Sequence, residues 1–366
     1  MVQLAGGFAG RGHRVDLVLA RAEGAFLADI PDEVNLIDLG VEGAAPAFPI
    51  LLRRPRTAWA LAPALLTGLP WVFGAVPELV RYLETQRPEA LISALDYTNF
   101  SALLAAGISR ELTPTIVIEQ NTVSARARGI AHWRWRFLPR MIRHFYPDAA
   151  ALTAVSRGVA TDLATLAGLH ERDVRTIFNP IVSQATGADS KLPLDHPWFA
   201  EGQPPVILGV GKLKLQKDFT TLLRAFARIR ALRPVRLVIL GEGPDRERLL
   251  REARQLGVAA DFELPGFVPN PFRFMARAAV FALSSAWEGL PSVLVEAMAC
   301  GCAVVSTRCP SGPDEILEQG AYGRLVAVGD DRAFADALAA SLDEVPDRAR
   351  LRERAAHFSV TRAVDG

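Results

Sequence analysis

The sequence predicts an α/β protein made of two doubly wound parallel-sheet domains, and three observations predict it. Its 366 residues exceed one compact domain and fit two of about 150 each. Half of the residues are apolar, enough to give each half a full core. Short β-branched or leucine-rich runs alternate with helical patterns throughout, as parallel strands joined by crossover helices require.

In the first half the strand-like runs are Val15 to Leu19, Val34 to Leu39, Ala90 to Ser93, Thr115 to Ile118, Ala150 to Val155 and Arg175 to Phe178. In the second they are Val206 to Val210, Arg236 to Leu240, Asp261 to Leu264, Val280 to Leu283, Ala303 to Ser306 and Leu325 to Val328. Helices fill the gaps. After the seventh run, Asp218 is a natural N-cap, and Phe219, Leu222, Leu223, Phe226 and Ile229 recur as a buried helical stripe. Gly241-Glu242-Gly243-Pro244-Asp245 reads as a turn of close backbone approach, with Asp245 capping the next helix. Residues 183–205 carry Gly187, Gly202 and four prolines without periodicity. They read as a linker between a domain over 1–182 and another over 206–366. Ligands of open α/β sheets bind beyond the carboxyl ends of strands, so two facing domains predict an interdomain cleft.

Composition excludes several classes. With 41 bases against 40 acids, a net charge of +1 and 22% charged residues, neither a disordered chain nor a nucleic-acid binder is expected. Cys300, Cys302 and Cys309 lie within ten residues without histidines at ligand spacing, and read as packing thiols in a reducing cytosol. No charged segment followed by an apolar one opens the chain, so secretion is not expected. The apolar stretch Ala58 to Val76 is broken by Pro63, Gly68 and Pro70, which places it on or near a membrane face rather than across it.

The strongest local signal runs from Ser284 to Gly301. A strand ends near Leu283, a Gly-Leu-Pro-Ser loop follows, and Ser292 is placed to cap a helix closed by Gly301. Free amides and the dipole at that helix start suit a phosphate dianion. Glu296, one turn beyond Ser292, is placed to accept hydrogen bonds from a ribose, and Glu288 from a sugar beyond the pyrophosphate. Without the flanking loop, the two carboxylates would read as ordinary surface glutamates. The second signal is lysine scarcity: 37 of the 41 bases are arginine, yet Lys212, Lys214 and Lys217 sit within six residues after a strand. Lys212 and Lys217 are placed to neutralise a departing pyrophosphate, a task otherwise given to a metal ion; no Asp-x-Asp pair to hold one occurs. A solvated basic loop is the bland alternative. Gly209-Val210-Gly211 and Gly241-Glu242-Gly243 lack the third glycine of a dinucleotide fingerprint.

These motifs, in this order, resemble those of retaining glycosyltransferases of family 4. The matching segments are Gly211-Lys212-Leu213 through Gln216-Lys217-Asp218-Phe219, then Leu240 to Pro244 and Leu264 to Val268. Glu288 and Glu296 follow in an E-x7-E arrangement, and Cys309 to Leu317 completes the series. The first half is similar more diffusely, through Gly12-His13, Val155-Ser156 and Asn179-Pro180. The resemblance implies the GT-B fold of two facing Rossmann-like domains, and a metal-independent enzyme that transfers sugar from a nucleotide donor with retention. It implies that Gly211, Lys212, Lys217 and Gly241 surround the donor diphosphate, and that Glu288 binds the transferred sugar. Glu296 would hold the ribose, Gly289, Leu290, Pro291 and Ser292 would give backbone contacts, and Phe267 would lie near the base. Two departures stand out. Lysine replaces the usual arginine at 212, and Glu119-Gln120-Asn121 stands where a histidine is frequent. Compared with the family, the first strand and the glycine-rich loop before the first helix are expected to be missing, so that the chain starts inside that helix, and Arg350 to Gly366 resembles a helix cut short. A catalytically impaired nucleotide-sugar binder, and a GT-B epimerase or phosphorylase, are the alternative readings.

On the acceptor side, Asp96, Asn99, Gln120 and Asn121 follow strand ends and are the candidates for contacting a glycan or lipid-linked acceptor in bacterial polysaccharide or lipopolysaccharide assembly. From Asn121 to Pro147 there is no acidic residue. Arg126, Arg128, Arg134, Arg136, Arg140 and Arg143 are interleaved with Trp133, Trp135, Phe137, Phe145 and Tyr146. Residues 126–146 therefore predict contact with an anionic membrane surface by a cytoplasmic, peripheral enzyme. The alternative is a solvated basic helix with its aromatics in the core.

Overall fold

The structure, a computed structural model, describes residues 1–129 and 137–366. By internal contacts it divides into one unit of Met1–Phe178 with Ala363–Gly366, and another of Asn179–Arg362.

The first unit opens with a helix, Val2–Ala9, which contains Gly6 and Gly7. Strands β1 (Val15–Leu19) and β2 (Val34–Asp38) pair in parallel from Val15↔Val34 to Leu19↔Asp38. Strands β3 (Leu91–Ala94), β4 (Thr115–Glu119), β5 (Ala151–Ala154) and β6 (Val174–Thr176) form a second parallel sheet in chain order. The six runs expected in one sheet thus fall into two. The ladder of β1 is satisfied by β2 and that of β3 by β4, and no strand among the described residues joins β1 to β3.

Between β2 and β3 the chain is helical but chopped. Helices Phe48–Leu52, Pro55–Ala60, Ala62–Thr67 and Val76–Gln86 each carry a proline in the first turn. Proline lacks an N–H and is tolerated there, where no intrahelical bond is lost, so each proline starts a new short helix. Among the described residues no helix is long and apolar enough to cross a membrane.

The second unit holds one six-stranded parallel sheet. Its strands are β7 (Val206–Val210), β8 (Arg236–Leu240), β9 (Phe262–Gly266), β10 (Val280–Leu283), β11 (Ala303–Thr307) and β12 (Arg324–Val326). They lie in the order β12-β11-β10-β7-β8-β9. Every residue of β10 is buried, as is nearly all of β7 and β8, which explains their unbroken apolar sequences. Asp218 caps the helix Phe219–Arg230 by accepting from the Thr221 amide at 3.4 Å. That helix buries the expected stripe, Phe219, Leu222, Leu223, Phe226 and Ile229, in a core shared with Phe334 and Leu338. Asp245 does not cap: its carboxylate pairs with Arg248 at 2.8 Å, one turn ahead, instead of reaching the backbone.

Residues 183–205, expected to be a linker, are part of the second unit. They include a helix, Gln184–Asp189, and Asn270 Nδ2 donates to the Asp189 carbonyl at 3.3 Å. The stretch from Arg350 onward forms the end of the helix Arg348–Ala356 and a second helix, Val360–Asp365.

Candidate active site

The strand order puts a topological switch point between β7 and β10, where one connection leaves toward β8 and the other toward β11. Doubly wound sheets bind ligands beyond the strand ends at that point. Both strong sequence signals emerge there. The loop after β7 carries the lysines, and a short 3-10 turn, Leu215–Lys217, turns Lys217 back over the sheet. The loop after β10 carries Glu288.

These two residues form an ion pair, Lys217 Nζ to Glu288 Oε1 at 2.6 Å, with side chains only 13% and 8% exposed. Removing both charges from water is costly, and further hydrogen bonds offset that cost. Ser285 Oγ donates to the same carboxylate oxygen at 2.6 Å, and Gln216 Nε2 approaches the other at 3.4 Å. The loops are tied at three more places: Ala286 N to Gln216 O, Gln216 Nε2 to Trp287 O, and Ser284 Oγ to Lys217 O. Sequence reasoning singled out Lys217 and Glu288 for different parts of one ligand. It missed their mutual contact, and it missed Gln216 and Ser285, although Gln216 stands inside the lysine loop.

The helix after Glu288 runs Ser292–Ala299. Ser292 does not cap it; Pro291 takes the cap position with extended backbone, and Ser292 is the first helical residue. Gly301, with φ +76°, closes the helix as expected. Leu294 N already donates to Pro291 O, and the amides ahead of it, which have no acceptor within a helix, form an end suited to an anion. Gly289, Leu290 and Pro291 are buried. The loop after β11 holds them: Ser311 Oγ donates to Gly289 O at 3.0 Å, and Glu288 N to Pro310 O at 3.3 Å. Gly312, at φ +94°, packs so closely that a Cβ would come 2.5 Å from Pro291 Cδ. Glu296 is partly buried, and burial pushes its carboxyl up to about 7 while the charge of Lys217 pulls it down.

Gly241, at φ +139°, lies in the turn read as one of close backbone approach, and the backbone it meets is the lysine loop: a Cβ there would lie 2.1 Å from Gly211 O. Gly211 N donates to Leu240 O, so the two loops abut through backbone. Lys212 is exposed, and Phe267, just after β9, is 64% exposed. The three cysteines are buried thiols, each pushed up to about 12 by burial. Among the described residues no group of three His, Cys, Asp or Glu side chains is placed to hold a metal ion.

In the first unit the acceptor-side candidates sit differently from expectation. Asn99 is wholly buried, donating to Ile118 O and to the Tyr146 hydroxyl, each at 3.2 Å, and Asp96 is only 5% exposed. Both begin a helix, Asp96–Ala106, that packs on β3 and β4, so their side chains face the core. Their neighbour is Glu119, the last residue of β4, which sequence reasoning passed over. Tyr146 donates to Glu119 Oε2 at 2.9 Å, and the backbone N–H groups of Gln120 and Asn121 donate to Oε1 at 3.1 and 3.3 Å. Burial, and then the charge of Asp96, push the Glu119 carboxyl up to about 8. Gln120 and Asn121 themselves are only partly buried. Of the basic segment 126–146, residues 130–136 lie outside the described residues. Phe145 and Tyr146 are 3% and 1% exposed and belong to the core, not to an interfacial layer, because they fall on the inward side of the helix Leu138–Phe145 and its end.

Comparison with known proteins shows the family and the fold. Residues 194–358 match the family model of glycosyl transferases group 1, and residues 1–184 that of glycosyltransferase family 4. The chain belongs to the family 4, group 1 glycosyltransferases. A Campylobacter jejuni relative is the N-acetylgalactosamine-N,N'-diacetylbacillosaminyl-diphospho-undecaprenol 4-alpha-N-acetylgalactosaminyltransferase. It is 31% identical over 204 residues, covering 56% of this chain and 54% of that protein. The lipopolysaccharide core biosynthesis glycosyltransferase LpsE of Rhizobium meliloti is 31% identical over 210 residues, 57% of this chain and 59% of its own. The chain thus spans between half and two thirds of the length of these curated relatives. Among solved structures, Anabaena HepE in complex with UDP and glucose superposes with a TM-score of 0.73 at 18% identity, covering 100% of this chain and 94% of that one. The lipopolysaccharide outer core galactosyltransferase WaaB gives 0.69 at 18%, covering 100% and 93%. The fold is therefore that of the GT-B glycosyltransferases, two parallel-sheet Rossmann-like units.

Proposed function

We propose that the protein is a retaining glycosyltransferase that moves a sugar from a nucleoside-diphosphate donor to a glycan or lipid-linked acceptor in bacterial lipopolysaccharide or polysaccharide assembly, acting at the cytoplasmic membrane face. The observation that carries this reading is the Lys217–Glu288 pair at the switch point beside the start of the helix Ser292–Ala299. In this reading the diphosphate meets the helix amides and the ammonium groups of Lys217 and Lys212, which gather the charge that grows as the leaving group departs. Glu288, held by Ser285 and Gln216, accepts hydrogen bonds from the transferred sugar, and Glu296 accepts them from the ribose. Phe267 offers an exposed ring to the base. The charge neutralisation that some transferases assign to a divalent cation falls here to the lysines.

HepE binds UDP and glucose, so UDP-sugars are the first donors to test; the Campylobacter and Rhizobium relatives direct the choice of acceptor to lipid-linked and core oligosaccharides. The decisive experiment compares wild type with Glu288→Gln. Turnover is expected to fall by about a hundredfold from lost sugar alignment, while nucleoside diphosphate affinity changes little. Unchanged turnover removes Glu288 from the role. Activity that vanishes in chelator and returns with magnesium removes the metal-independent reading.

A further inference from the structure

Three large apolar side chains of the first unit stand in water at a spacing of seven residues: Leu52 is 83% exposed, Trp59 68% and Leu66 85%. They belong to the successive short helices Phe48–Leu52, Pro55–Ala60 and Ala62–Thr67. Seven residues make two helical turns, so Trp59 and Leu66 return to nearly the same side of their run. The other side is occupied: Leu51, Thr57, Ala60, Leu61 and Ala64 are buried. A surface helix ordinarily turns polar groups outward, and single exposed apolar residues are common, but a repeated outward series of this size is not.

The segment that carries the stripe has charges of one sign. No acidic residue occurs from 43 to 77, and Arg53, Arg54 and Arg56 are exposed. Arg140, from the helix Leu138–Phe145, lays its guanidinium over the Trp59 ring and donates to the Trp59 carbonyl at 2.7 Å. Pro55, Arg56, Trp59 and His144 line a shallow groove at the same place. Exposed apolar side chains, a tryptophan and arginines are the groups that suit the acyl boundary, the headgroup level and the anionic phosphates of a bilayer surface.

We propose that this stripe, Leu52, Trp59 and Leu66 with Arg53, Arg56 and Arg140, is a docking surface for an anionic lipid bilayer. It lies outside the segment 126–146 except for Arg140, and it gives a lipid-linked acceptor reading a physical seat. It rests on that reading only for its purpose. Vesicle binding is measured with neither donor nor acceptor present, so its failure leaves sugar transfer untouched.

The experiment is flotation of the full chain with phosphatidylcholine vesicles with and without phosphatidylglycerol, at low and high salt. Wild type is expected to float with the phosphatidylglycerol vesicles at low salt. Arg53→Glu and Arg56→Glu should each lower partitioning by about fivefold or more. Leu52→Ser, Trp59→Ser and Leu66→Ser combined should abolish flotation with an unchanged Tm, since all three side chains are exposed. Three results overturn the proposal. The first is no flotation of wild type on anionic vesicles. The second is flotation of the triple variant equal to wild type. The third is a wild-type dimer that the triple variant converts to monomer without any vesicle binding.

Discussion

Glu119 and Glu288 occupy comparable places, one closing β4 and the other in the loop after β10, and both are almost wholly buried. Their surroundings set them apart. Glu288 has an ammonium group at 2.6 Å and a serine hydroxyl on the same oxygen. Glu119 has a phenol, two backbone amides and the carboxylate of Asp96 nearby. A buried acid keeps its charge where a cation compensates the lost water, and takes up a proton where another acid stands beside it. In the proposed reading the first arrangement serves a ligand, whereas the second braces a turn, and it is the sign of the neighbouring charge rather than burial that separates the two.

The largest effect should come from removing the cation on one side of this comparison. Lys217→Ala strands Glu288 in the interior, and the second unit should lose about 3–5 kcal/mol in denaturant unfolding of the full chain. A loss under about 1 kcal/mol, the range of exposed pairs, would mean that the pair is not desolvated and the contrast with Glu119 is lost.

A smaller effect concerns Glu296, whose carboxyl burial raises to about 7. The ionised form is the better acceptor for ribose hydroxyls. Nucleoside diphosphate affinity should therefore weaken by about fivefold as pH falls through 7, the difference between charged and neutral hydrogen bonds. Glu296→Gln should bind with a flat profile across that range in calorimetry; a slope equal to that of wild type assigns the titration elsewhere.

The third test concerns Glu119. Its folded pKa of about 8 lies above the ordinary 4.5, so the native state binds the proton more tightly than the unfolded chain does. That contribution is full below about 4.5 and is lost as pH rises through 8. Glu119→Gln carries no such titration and keeps an acceptor for the Gln120 and Asn121 amides. Its Tm relative to wild type should rise between pH 5 and pH 9, by about 2–4 °C for each kcal/mol recovered. A constant gap would show that Glu119 is ionised throughout.

The sequence by itself determined the strands, the parallel α/β class and the loops that carry chemistry. Alternation of apolar runs with helical stripes is a local property, and lysine placed among arginines is visible without coordinates. The Asp218 cap and the Gly241 approach were legible for the same reason: each follows from one residue's backbone preference. Only the tertiary structure decided the rest. It split the first half into two sheets, drew residues 183–205 into the second unit, turned Asn99, Phe145 and Tyr146 inward, and joined Lys217 to Glu288 across 71 positions of chain. Such outcomes depend on which groups compete for the same partner in three dimensions. Pairing of strands, burial of an aromatic and compensation of a charge are properties of neighbours, and a chain specifies its neighbours only by folding.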